Sequence, residues 1–113
     1  MKLFATLRKI REFERLELPF LKSIIDFDII IEIGYAQEQK QLLAPKQLFL
    51  LKLGSPTTVR RRLVKLIGQG IVRTRTNTND RRSTILALAP STHRLLTKYG
   101  KLFAAIFALT ASE

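Results

Sequence analysis

At 113 residues the chain is the size of one domain, and its 46% of hydrophobic residues marks a folding sequence and not a disordered tail. It has no cysteine, so disulfides and thiolate metal sites are excluded and a reducing cytoplasm fits. The net charge of +11 favours a polyanionic partner. The most apolar runs, 29–33 and 102–109, fall far short of the roughly 20 residues a spanning helix needs, and Arg8, Lys9 and Arg11 interrupt the N-terminal segment too early for a signal peptide.

In chain order, Leu3, Leu7, Ile10, Phe13 and Leu16 keep helical spacing and predict a first helix over 3–17. Pro19 follows its end. Ser23 with Asp26 three residues on resembles a capping box, and opens a second helix that runs to about residue 39. Its stretch Ile24, Ile25, Phe27, Ile29, Ile30, Ile31, Ile33 is apolar almost all round, as a buried central helix would be. The β-branched run also suits a strand; its length and the polar continuation over 35–41 favour helix. Residues 42–45 form a short link. Pro45 suits the first turn of a third helix over 46–53, with Leu48, Leu51 and Phe49 inward and Gly54 supplying a left-handed cap.

Ser55 as N-cap and Pro56 at the first helical position open a fourth helix that runs to about residue 69, where Gly70 ends it. Val59, Leu63, Leu66 and Ile67 make one buried stripe. At about 100° per residue the opposite side carries Thr57, Thr58, Arg61 and Lys65, with Arg60 and Arg62 on its flanks. Two strand-like runs, 71–76 and 83–88, enclose the polar turn 77–82 and predict a β-hairpin with a basic tip. A last helix over 90–109 presents Leu95, Leu96, Tyr99, Leu102, Phe103, Ile106 and Phe107 as a broad apolar face. The fold class expected is mostly α with a small β-hairpin wing, an α+β winged helix-turn-helix. It forms a single domain over 1–113: N-terminal helices in 1–41, helix-turn-helix and wing in 42–89, and a C-terminal helix in 90–113.

Charge is concentrated in the middle of this layout. Residues 1–45 hold seven basic and seven acidic side chains, whereas 46–82 hold ten basic side chains and one acid, Asp80. An excess this local is the footprint expected of phosphate contacts. A helix fits the major groove, where each base pair shows a distinct donor and acceptor pattern, and a basic hairpin can reach the adjacent minor groove. His93 is the only histidine, so no metal site is expected, and no Ser, His and Asp arrangement or carboxylate pair marks an enzyme.

Four stretches resemble the MarR family of bacterial transcription regulators. Residues 54–66, Gly-Ser-Pro-Thr-Thr-Val-Arg-Arg-Arg-Leu-Val-Lys-Leu, look like that family's recognition helix. Gly70-Ile71-Val72 looks like its helix-to-wing junction, Asp80-x-Arg82 like its wing-tip signature, and Leu88 stands where the trailing pair of that signature begins. The match covers about residues 42–96. The resemblance implies major-groove contacts from Thr57, Thr58 and Arg61, with Ser55 at the helix start. It implies phosphate contacts from Lys65 and the flanking Arg60 and Arg62. Arg73 and Arg75 on the strand beside them read either as ordinary exposed strand positions or as phosphate contacts. Arg82 with Arg81 would enter the minor groove, and Asp80 would orient an arginine. Ala89 departs from the family's capping threonine, and Thr92 from a common glycine. The family's terminal helices build a homodimer, expected here too; both read as short, so a small-molecule effector is not expected. The reading is a cytoplasmic, bacterial, nucleoid-associated protein whose partner is double-stranded DNA, with no cofactor. A winged helix that binds protein or RNA is the alternative. A peripheral membrane protein is more distant, because the stripe from Val59 to Ile67 is committed to the core.

Overall fold

The second helix, α2 (Ile24–Glu38), is the post around which the other elements gather. The computed structural model describes residues 3–78, 80 and 82–111, apart from the side chains of Phe107 and 109–111. Before α2 comes α1 (Leu3–Glu17), and after it α3 (Pro45–Leu50), α4 (Pro56–Gly68), the hairpin strands β1 (Val72–Thr76) and β2 (Thr84–Leu88), and α5 (Pro90–Ala111). No described helix is long and apolar enough to cross a membrane.

The capping box expected at Ser23 is present. The Ser23 hydroxyl accepts from the Asp26 N–H, and the Asp26 carboxylate accepts from the Ser23 N–H. The main core joins Ile29, Ile30 and Ile33 of α2 to Leu48, to Val59, Leu63 and Leu66 of α4, and to Val72, Leu86 and Leu88 of the hairpin. Burial of α2 is one-sided. Ile24 is 79% exposed and Ile31 and Tyr35 also face outward, because α4 and β2 cover only one side of the helix.

A second cluster ties the two ends of the chain. Ile10, Leu18 and Tyr99 are buried together, with Phe13, Phe27 and Phe103 around them. The Tyr99 ring lies 4.9–5.8 Å from those three rings, and its hydroxyl donates to Glu14 Oε2 at 2.7 Å. Burial and the Glu14 carboxylate hold this phenol protonated well above the usual tyrosine range. The first helix has its expected bounds, but its expected stripe is only half used. Ile10 is buried and Phe13 half-buried, whereas Leu3, Leu7 and Leu16 are exposed because α5 covers just one part of α1.

Two turn assignments differ from the sequence reading. The third helix ends at Leu50, and Leu51 is exposed and not inward. The left-handed residue there is Lys52, with φ 56°, and Gly54 does not take a positive φ. Gly54 is needed for closeness instead: a Cβ on it would stand 2.8 Å from Ile25 Cδ1, so the bare backbone lets α2 approach the turn. Gly70 does behave as expected, with φ +74° just past α4. Its Cβ would meet open space, so Gly70→Ala should cost only the backbone strain, about 1–2 kcal/mol in chemical denaturation.

The hairpin is antiparallel, with Val72 opposite Leu88 and Thr76 opposite Thr84. Its strands have opposite characters. Ile85, Leu86 and Leu88 of β2 are buried, while β1 is exposed from Arg73 to Thr76. The side of β2 away from β1 is covered: Leu86 N–H donates to Leu43 O at 2.8 Å, and Leu88 N–H to Gln37 Oε1 at 2.9 Å. At the hairpin base, Ala89 N–H and the buried Thr92 hydroxyl both donate to Ile71 O, at 3.0 and 2.9 Å. That double bond to one carbonyl fastens the start of α5 to the turn after α4. At 22 residues α5 is the longest described element, and it runs two residues past the expected 90–109.

Candidate nucleic-acid interface

The third and fourth helices, the tight turn between them and the hairpin build one basic surface. Ser55 starts α4: its hydroxyl accepts from the Thr58 N–H at 3.2 Å and donates to Thr58 Oγ1 at 2.8 Å. Both hydroxyls are therefore engaged in capping. With Val59, Leu63 and Leu66 buried, the helix turns Thr57, Arg61 and Lys65 to the outside, and Thr58 is half-buried. Val64 was not among the residues expected on this face, yet it is 63% exposed. The signal was available in the helical angle, since Val64 lies about 60° from Arg61; its apolar character hid it.

The three consecutive arginines have three different surroundings. Arg61 is exposed and points away from the core. Arg60 lies over the Phe49 ring of α3, its guanidinium carbon 5.0 Å from the ring centre. The side chain is exposed, so N–H groups of this guanidinium remain available to a phosphate. Arg62 stands apart. Its Nε and one terminal nitrogen donate to the two Asp26 oxygens at 2.6 and 2.7 Å, and its side chain is only 14% exposed.

Asp26 is fully buried and its carboxylate is fully used. Besides the two bonds from Arg62, Oδ2 accepts from the backbone N–H groups of Lys22 and Ser23 at 2.8 and 3.1 Å. Burial alone would push this carboxyl up. The Arg62 guanidinium and the two backbone donors outweigh that and hold it below the ordinary aspartate value. Nothing in the spacing of residues 26 and 62 signalled the pair, because 36 positions separate them.

On the wing, Arg73 and Arg75 are exposed along β1, on the strand face that also carries Ala87 and Ile85 across the pair. Arg82 is exposed at the tip. Arg81 lies outside the described residues. Asp80 was expected to orient an arginine, and among the described residues its bonds are to the backbone of Arg82 and to Ser83. Its carboxylate accepts from the Arg82 N–H at 3.0 Å, and its carbonyl accepts from the Ser83 N–H and hydroxyl. An Asx turn of this kind sets the path of the tip.

Away from this surface, α2 and α5 flank a groove of about 560 Å³, lined by Phe27, Ile31, Tyr35, Leu96, Thr97 and Phe103 among others. The groove is a consequence of the long α5 and the exposed outer side of α2.

This order of elements, with a capped basic helix followed directly by an exposed basic hairpin, defines a winged helix-turn-helix. Comparison with solved structures makes the fold more specific. A MepR–DNA complex from S. aureus superposes with a TM-score of 0.75 at 13% identity, over 98% of this chain and 82% of that one. A mutant MarR from E. coli complexed with operator DNA gives 0.59 at 19% identity, over 88% and 69%. The transcriptional regulator Tm0710 from Thermotoga maritima gives 0.66 at 19%, over 97% and 76%. The chain therefore has a MarR-like winged-helix fold. No protein-family model and no curated protein matches it in sequence.

Proposed function

We propose that the protein is a DNA-binding transcription regulator that reads double-stranded DNA by sequence and carries no catalytic activity. The observation that supports this best is the outward face of α4, where Thr57, Arg61 and Lys65 project from a helix whose other side is locked into the core. In this reading Thr57 and Arg61 meet base edges in the major groove, with Thr58 beside them, and Val64 offers its methyl groups to a thymine methyl. Lys65, Arg60, Arg73 and Arg75 meet phosphates, and Arg82, with Arg81, enters the minor groove. The only acid in 46–82, Asp80, accepts from the Arg82 N–H and stands against ten basic residues. Two of the similar structures carry DNA, which fits the same reading.

The protein acts in this reading as a cytoplasmic homodimer, paired through α1 and α5. Exposed Leu3, Phe4 and Leu7 on α1 suit a second copy, since Phe4 at 77% exposure is a poor surface residue for a monomer. Selection of bound duplexes from a random pool tests both parts. A palindromic winner is expected, with affinity falling about 10³-fold or more between 50 and 200 mM salt. Structured RNA outcompeting every duplex would overturn the reading. Arg82→Ala should weaken A·T-flanked sites by about 1 kcal/mol more than G·C-flanked ones, measured by competition; equal loss on both would exclude minor-groove insertion.

A further inference from the structure

We infer that Arg62 is a positioning residue: Asp26 at the start of α2 grips it so that α4 presents Arg61 and its neighbours at one fixed rotation. This inference rests on the DNA-binding reading above. It concerns how the interface discriminates between sequences, not whether it binds.

The geometry separates the members of the arginine triplet. Successive residues of α4 are about 100° apart, so Arg60 and Arg62 leave the helix on opposite flanks of Arg61. Each flank is anchored to a different element. Arg60 rests on Phe49 of α3, and Arg62 is held by both oxygens of Asp26 on α2. Arg61 between them is exposed and has neither anchor. The apolar stripe Val59, Leu63, Leu66 attaches α4 to α2 strongly but without direction, because burial depends on area and tolerates small rotations. A two-pronged guanidinium–carboxylate bond does not tolerate them. Asp26 is itself fixed by the N–H groups of Lys22 and Ser23, so the grip is tied to the backbone at the helix start. A cation with 14% exposure and both prongs occupied is poorly placed to meet a phosphate as well.

The test uses the duplex selected from the random pool and a scrambled duplex of equal length, each titrated across salt. The main variant is the double substitution D26N/R62M, which removes one charge of each sign and leaves the net charge at +11. The positioning role predicts an unchanged salt slope on the scrambled duplex and a loss of about tenfold in the selected-to-scrambled ratio. A slope shallower by about 0.9 per bound subunit would make Arg62 a phosphate contact and overturn the inference. An unchanged ratio with an unchanged slope would also overturn it, by showing that the pair only supports the fold.

The fold of each variant is checked by its circular-dichroism melt, and Asp26→Asn alone is a second, independent variant. It frees a guanidinium that is still present. The selected duplex should then bind more weakly and the scrambled one more tightly, with a slope steeper by about 0.9 per bound subunit; no movement in either overturns the inference. If the unmodified protein binds no duplex, the DNA-binding reading and the inference fall together. Failure of the inference alone is distinct, because the unmodified protein then still selects its site.

Discussion

Arg62→Met, with Asp26 left in place, is expected to lower folding stability by about 3–5 kcal/mol, read from urea denaturation at neutral pH. The carboxylate is fully buried and would keep only the two backbone donors at Lys22 and Ser23. A loss of this size is a large part of the whole stability of a domain this small. Replacing both partners should be far milder, since no uncompensated charge is then left inside. A double variant as unstable as the single one would show that the pair contributes packing and not charge compensation.

The same pair makes a pH prediction. The Asp26 pKa is lowered in the folded protein relative to its ordinary value, so the ionised form is favoured by folding. Its contribution to stability is complete above about pH 4 and is lost as pH falls through the lowered folded value. The stability of the unmodified protein should therefore fall more steeply below about pH 4 than that of the double variant. Identical acid profiles would mean that other carboxylates govern acid unfolding.

Arg61→Ala should reduce affinity for the selected duplex by about 1–3 kcal/mol and relax preference at one or two base positions. Lys65→Ala should weaken selected and scrambled duplexes alike and make the salt slope shallower by about 0.9 per bound subunit. The contrast matters more than either number. Both side chains are exposed on the same helix, and only the position of Arg61 opposite the buried stripe marks it as a base reader. Repeating the selection with each variant checks this. If Arg61→Ala leaves the preferred sequence intact, base reading lies elsewhere, with Thr57 and Val64 the next residues on that face.

Much of this architecture was legible because its signals are local. Ser23 with Asp26, Ser55 with Pro56, and Gly70 mark helix ends through bonds and dihedrals within a few residues, and these ends stand close to where they were expected. The buried stripe of α4 follows from periodicity alone. The misjudged positions are those where a neighbouring element decides. Leu3, Leu7 and Leu16 keep helical spacing, but how much of α1 is covered depends on where α5 lies. Gly54 read as a left-handed cap, and its actual reason is the approach of Ile25 from another helix.

The basic surface opened with residues 46–82, and the amino-acid sequence by itself determined where that surface is: an excess of charge over one stretch, on a capped helix and a hairpin whose own periodicities point the cations outward. Tertiary structure alone decided what each cation is placed to do. Arg60, Arg61 and Arg62 are identical side chains in consecutive positions; the helical angle sets Arg61 opposite the stripe, but no local rule separates Arg60 from Arg62. Phe49 and Asp26 do, by offering one a ring and another a buried carboxylate, and both partners arrive only when α3 and α2 fold against α4. A charge is written in the sequence; its partner, and therefore whether it remains available to a phosphate, depends on which distant residues the core brings beside it.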